Sequence, residues 1–262
     1  LETAGLDALT MRHRAWMNRW APVWAEAWIS ALNALVIRGG AIHGLIEAWC
    51  AEIDLAWTVA RLAAEWKWVR PELVEADEGS IEVEGLRHPI LERLTQVPYV
   101  SHTVALSADS TVSSMVGSSK RGLLLYGMNA SGKSSLMKAM GLSVLLAQCG
   151  FPVPAQRLRL APFTAIFTRI LGNDNIWAGL SSFAVEMTEF REILRFADER
   201  SLVLGDELCS GTESLSATAL VAAGIETLAS RGTKFVFATH LHDLATLPDI
   251  AGHSGVRAVH LK

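Results

Sequence analysis

Cysteine is scarce and scattered. The 262-residue chain has three, Cys50, Cys149 and Cys209, with no CxxC pair among them, which excludes a disulfide framework and a thiolate zinc site. Neither sign of charge predominates: 23 Lys and Arg stand against 27 Asp and Glu, for a net charge of −4. The balance holds on both sides of residue 75, so the chain is not a strongly cationic nucleic-acid module. Repeats and low-complexity tracts are missing as well. Half of the residues are apolar and 19% are charged, a globular composition. The length fits one large domain, or one domain with an appendage.

An uninterrupted membrane span is also lacking. Residues 20–37 form an 18-residue stretch with Glu26 as its only charge, close to the length that crosses a bilayer. Pro22, Ser30 and Asn33 interrupt it, and Arg19 and Arg38 flank it. No secretory pattern opens the chain, where acids stand at Glu2 and Asp7. The expectation is an intracellular protein with no membrane partner. The first residue is not Met, which suggests a fragment.

What is present divides near residues 71–80. Residues 6–70 carry helical periodicity. Trp16, Trp20, Trp24 and Trp28 recur at i, i+4 and so share one side of a helix, as a stripe expected to pack against another helix. Gly39-Gly40 is expected to break that helix, and a second one to run over 42–69, stopped by Pro71. Beyond it, short apolar runs at 81–84, 122–126, 165–170, 202–205, 235–239 and 256–260 alternate with helical patterns. That alternation predicts an α/β domain over 76–262 with a mainly parallel central sheet, preceded by an all-helical segment over 1–75.

Gly127-Met-Asn-Ala-Ser-Gly132-Lys133-Ser134 fits G-x-x-x-x-G-K-[ST], after the apolar run Leu123-Leu-Leu-Tyr126 and before an amphipathic stretch. Gly127 and Gly132 let backbone N–H groups curl around phosphates, at a helix N-terminus whose positive end faces them. Lys133 would reach the β- and γ-phosphates and the Ser134 hydroxyl would ligate Mg²⁺. Seventy-three residues after Lys133, an apolar strand ends in Asp206-Glu207. Asp206 is suited to the Mg²⁺ shell and Glu207 to positioning or deprotonating the attacking water. A second strand ends at His240, 33 residues after Glu207, within reach of the γ-phosphate or the water in such a site. His240-Leu-His242 has no further ligands nearby that would make it a metal pair. Gly179-Leu-Ser181-Ser182-Phe183-Ala-Val-Glu186-Met187 reads as a capped helix start with an acid in its first turns, and such an N-terminus can also grip a phosphate supplied by another subunit.

This order of motifs resembles the ABC-type P-loop ATPases and, within them, the MutS family of DNA mismatch-repair ATPases. Arg87-His-Pro-Ile90, the glycine loop, Ile166-Phe-Thr-Arg169, the Ser181 segment, Asp206-Glu207 with Ser210-Gly-Thr212, and Phe237-Ala-Thr-His240 fall in the family's order and spacing. Asn129-Ala-Ser-Gly-Lys-Ser-Ser135, Gly172-Asn-Asp-Asn175 and Gly205-Asp-Glu-Leu-Cys-Ser-Gly-Thr-Glu213 are similar to the subgroup of large DNA viruses and some mitochondria. The resemblance implies ATP and Mg²⁺ as cofactors. Tyr99 would stack on adenine, and Gly127, Asn129, Ser131, Gly132, Lys133, Ser134 and Ser135 would contact nucleotide. Ser134 and Asp206 would hold Mg²⁺, Glu207 would activate water, and His240 would sense the γ-phosphate. Ser181 would complete the site of an opposite subunit, in a homodimer or with a MutS-like partner. Leu208-Cys209-Ser210 departs from the commoner I-G-R.

Nothing in the chain resembles the family's mismatch-reading domain, clamp, helix-turn-helix end or nuclease. Mismatched double-stranded DNA would therefore be held through regions outside this chain, with the helices of 1–75 acting as part of a lever. Two rival readings are another ABC-type DNA-maintenance ATPase and a non-hydrolysing dimerisation module. The first would carry long coiled coils between the glycine loop and the acidic strand, for which the spacing leaves no room. Intact Lys133, Asp206 and Glu207 argue against the second.

Overall fold

The computed structural model describes residues 2–95, 98–107, 120–128, 130–170, 182–209 and 213–261. It divides into two units, Leu1–Thr58 and Val59–Lys262. A single helix, α1, runs Glu2–Trp66 with Pro22 inside it. The break expected at Gly39-Gly40 does not occur. Glycine weakens a helix by only about 1 kcal/mol relative to alanine, and the long Ala-, Leu- and Ile-rich flanks hold the helical form through both. The expected second helix is the end of this same one, which stops at Trp66 rather than 69.

The tryptophan stripe differs from expectation too. Trp16, Trp20, Trp24 and Trp28 are 41–69% exposed, and every described residue over 7–37 is exposed. No helix covers the stripe among the described residues. By length and composition, Asp7–Ile37 is long and apolar enough to cross a membrane.

The second unit begins with the last turns of α1. No basic residue lies in its last turn, and Arg87 supplies the missing cation. Its guanidinium donates to Trp66 O at 3.2–3.3 Å and Lys67 O at 2.9 Å, where the helix's negative end lies. Arg93 sits 4.5 Å from the centroid of the Trp66 ring.

Two sheets follow. The first has four strands in the order β1-β5-β2-β3: β1 (Glu72–Leu73), β2 (Ser80–Leu86), β3 (His102–Leu106) and β5 (Arg157–Ala161). β2 is antiparallel to both β3 and β5. The second sheet is fully parallel, in the order β6-β7-β8-β4-β9. Its strands are β4 (Gly122–Gly127), β6 (Ala165–Arg169), β7 (Ser201–Asp206), β8 (Lys234–Thr239) and β9 (Val256–Leu261). Every residue of β7 and β8 is buried, as expected of strands covered on both faces.

Alternation along these strands sorts side chains between two cores. Leu123, Leu125, Leu202, Leu204, Val236 and Ala238 face Met137, Met140 and Val144 of α3 (Lys133–Gln148), together with Ile81, Val83, Leu158 and Leu160 of the first sheet. The helix is thus packed in one core with both sheets. Leu124, Val203, Phe235 and Phe237 face the other way, toward Phe190 and Ile193 of α4 (Ser182–Phe196) and Val221, Ile225 and Leu228 of α5 (Ser214–Ser230). Two four-residue helices, α2 (Leu91–Leu94) and α6 (Pro248–Ala251), complete the described elements with a 3₁₀ turn at His242–Thr246. The sheets are tied by Lys234, whose buried ammonium donates to Glu78 Oε2 at 2.5 Å, just ahead of β2.

Candidate active site

Parallel strands end together, and in open α/β sheets the crevice beyond their carboxyl ends is where ligands bind. Here β4, β7 and β8 are neighbours in the sheet, and each ends in residues singled out from the sequence. The loop after β4 starts at Gly127, whose φ is +147°. A Cβ there would lie 2.4 Å from the Leu261 carbonyl oxygen, so only glycine fits the start of this turn. Gly132, at φ +92°, is the N-cap of α3 and provides no capping side chain. The first N–H groups of α3 therefore point into the crevice with no side-chain partner from the cap, as an anion-binding helix end requires.

Lys133 is 5% exposed. Its ammonium donates to Gly127 O at 3.0 Å and Met128 O at 2.8 Å, so it spans the loop that precedes it. Ser134 Oγ donates to Asp206 Oδ1 at 2.9 Å, bringing together groups 72 residues apart. Asp206, at the end of β7, is 6% exposed. The next residue, Glu207, has φ +51°, and its N–H donates to Ala238 O of β8 at 2.8 Å. This turns its carboxylate toward His240 just past β8, where Oε1 and Nε2 are in contact.

Ala130, Ser131, Gly132, Lys133, Ser134, Ser135, Glu207 and His240 line one cavity of about 450 Å³. The residues present fit a magnesium-bound phosphate chain. A helix end offers N–H groups, Lys133 offers a cation, and Ser134 beside Asp206 forms an oxygen pair suited to Mg²⁺. Within the same loop, Ser131 Oγ is buried without a hydrogen-bond partner among the described residues. No group of three or more His, Cys, Asp or Glu suited to a metal occurs among the described residues.

Other sequence-predicted residues fall elsewhere. Tyr99 is not among the residues lining that cavity; it is partly buried between His88 and His102, with ring centroids 6.3 and 6.2 Å away. Burial pushes its phenol above the ordinary range, with Glu92 adding to the effect, and burial lowers both histidines. His88 is occupied structurally, its Nδ1 accepting the N–H groups of Ile90 and Leu91 at 3.2 Å. Asn129 and Ser181 lie outside the described residues. Two residues have roles that their local sequence did not suggest. Arg87 caps α1, and Glu186 is buried in α4 with its carboxylate on the Cys209 N–H instead of serving the helix terminus.

The family model described as MutS domain V matches residues 123–262, more than half of the chain. The chain belongs to the MutS family. It is 39% identical over 216 residues to the mitochondrial DNA mismatch repair protein mutS homolog of Sarcophyton glaucum, covering 80% of this chain and 20% of that protein. It is 33% identical over 245 residues to a DNA mismatch repair mutS homolog of Acanthamoeba polyphaga mimivirus, covering 83% and 22%. To the DNA mismatch repair protein MutS of Granulibacter bethesdensis it is 38% identical over 224 residues, covering 84% and 23%. This MutS-family chain thus spans about a fifth to a quarter of the length of these relatives. The family match begins inside β4 and takes in the glycine loop, Asp206, Glu207 and His240; Tyr99 and the helical segment precede it.

Proposed function

We propose that this chain is the ATP-binding and ATP-hydrolysing P-loop module, of ABC type, of a MutS-like mismatch-repair protein. One observation carries the reading: the Ser134–Asp206 contact at 2.9 Å joins the glycine loop to the strand end that bears Glu207. ATP phosphates would lie on the loop N–H groups and the α3 terminus, and Lys133 would exchange its two carbonyl partners for phosphate oxygens. Bound Mg²⁺ would neutralise charge on the phosphates, held by Ser134 and Asp206. Glu207 would orient a water and accept its proton, and His240, in contact with that carboxylate, would fix its direction.

Ser181 would face the nucleotide held by a second subunit, so complete sites would belong to a dimer. The helices of 1–75 would carry the nucleotide state toward DNA-binding regions outside this chain. The location expected of such a repair protein is intracellular.

Phosphate release from ATP by the purified chain tests the reading. Release is expected to require Mg²⁺. Lys133→Ala removes a charge-assisted contact of about 1.5–3 kcal/mol and is expected to weaken ATP at least about tenfold. ATP affinity unchanged by that substitution would remove the phosphate-loop assignment.

A further inference from the structure

Glu186 lies outside the loop, the metal pair and the acidic strand, yet it is only 6% exposed. A carboxylate is rarely buried without a specific partner. Its partner is the Cys209 N–H, which donates to Glu186 Oε1 at 2.6 Å. The segment that receives it is unusual in its backbone. Glu207 has φ +51° and Cys209 φ +62°, left-handed values that residues with a Cβ seldom take. The turn is held at two points: the Glu207 N–H on Ala238 O at 2.8 Å, and the Cys209 N–H on Glu186. Within the turn, Leu208 and Cys209 are both buried. Burial, aided by the Glu186 carboxylate, pushes the Cys209 thiol up to about 11. The helix that carries Glu186 is anchored to the same end of the sheet, with Arg169 Nε at the end of β6 2.9 Å from Glu189 Oε2.

We propose that Glu186 is a positioning residue for hydrolysis: by accepting the Cys209 N–H it holds the left-handed Glu207–Cys209 turn, and so fixes the Glu207 carboxylate at the crevice beside His240. This rests on the reading of Glu207 given above. Position, more than charge, is the property at stake, since an error of about 1 Å in a reacting group can cost on the order of 10²-fold in rate. The link also ties α4, which starts directly after Ser181, to the acid that activates water.

The test compares Glu186→Met, which fills the space without an acceptor, with Glu186→Gln, which keeps an acceptor oxygen. Glu186→Met is expected to lower kcat about tenfold or more while ATP affinity stays within about twofold. Glu186→Gln is expected to recover most of that loss. Iodoacetamide labelling provides a readout independent of turnover. Cys209 alkylation, normalised to Cys149 in the same sample, is expected to rise at least about tenfold in Glu186→Met as the buried thiol is released. In the unsubstituted chain the amides of Glu207 and Cys209 are expected to exchange hydrogen as slowly as those of β7. The proposal is overturned by unchanged kcat or unchanged Cys209 labelling in Glu186→Met, by Glu186→Gln as impaired as Glu186→Met, or by rapid exchange at Cys209. Failure of the underlying reading is separately visible. Glu207→Gln turning over normally would remove the role of Glu207 while the labelling and exchange results still stood.

Discussion

Replacing Glu78 by Ala should loosen the joint between the two sheets, and the geometry sets the size of the effect. The side chain of Lys234, at the start of β8, is 0% exposed. Its ammonium has Glu78 Oε2 at 2.5 Å, Gly232 O at 2.8 Å and Glu199 O at 3.4 Å. Burial is the largest influence on this lysine and pulls its pKa below the ordinary value, while Glu78 pushes it back up. Without Glu78, the buried cation keeps two carbonyl partners among the described residues. Breaking a buried pair costs about 3–5 kcal/mol. Because the Glu78 side chain is 35% exposed, water relieves part of that, leaving roughly 2–3 kcal/mol. For a unit of this size the loss corresponds to roughly 4–12 °C in Tm. The sign of the pH dependence follows from the depressed lysine. The unfolded chain holds the proton over the window between the folded and ordinary values, so stability rises with pH there. In Glu78→Ala the folded value falls further and the window widens downward. The deficit against the parent should therefore be largest near neutral pH and shrink as pH approaches the ordinary lysine value. Urea unfolding of parent, Glu78→Ala, and Glu78→Ala with Lys234→Met, at neutral pH and close to that value, measures it. A deficit below about 0.5 kcal/mol, or a double variant no more stable than Glu78→Ala, would refute the reasoning.

Two further outcomes concern the site. Ser134→Ala removes one of the two oxygens proposed for Mg²⁺, so the Mg²⁺ concentration for half-maximal ATP hydrolysis should rise about tenfold, as a titration would show; an unshifted midpoint would remove Ser134 from the metal shell. If Ser181 serves the opposite subunit, activity per chain should rise with protein concentration, and mixing Ser181-defective with Lys133-defective chains should restore about one working site per mixed dimer. Flat specific activity and no recovery on mixing would leave the site confined to one chain.

The parts legible in the sequence were those with a local signature. β4, β7 and β8 stand out because strands buried on both faces read as near-continuous apolar runs. The glycine loop was legible because its turn admits few residues; Gly127 meets the Leu261 carbonyl where any side chain would collide. The first sheet was harder to see. β5, Arg-Leu-Arg-Leu-Ala, has its buried leucines interrupted by arginines, and β3 is five residues long, so neither offers a long apolar run. Gly39-Gly40 misled because glycine permits a bend without compelling one. Contacts between distant residues leave no local mark. Glu186 and Cys209 are 23 residues apart, and Arg87 reaches back 21 residues to cap Trp66; only the fold brings these groups together. Tyr99, read from a resemblance and not from a pattern, sits between two histidines with no such periodicity to announce it.

The central claim is that Glu207, brought beside His240 at the strand ends, drives hydrolysis of ATP held by the loop of 127–134. Glu207→Gln tests it most directly, since the amide keeps the size of the carboxylate and loses its basicity. ATP affinity and single-turnover phosphate release are to be measured side by side with Mg²⁺ present and the chain concentrated. The account predicts affinity within about twofold of the parent and phosphate release slower by about 10²-fold or more. Release at the parental rate, with ATP bound equally well, would contradict it.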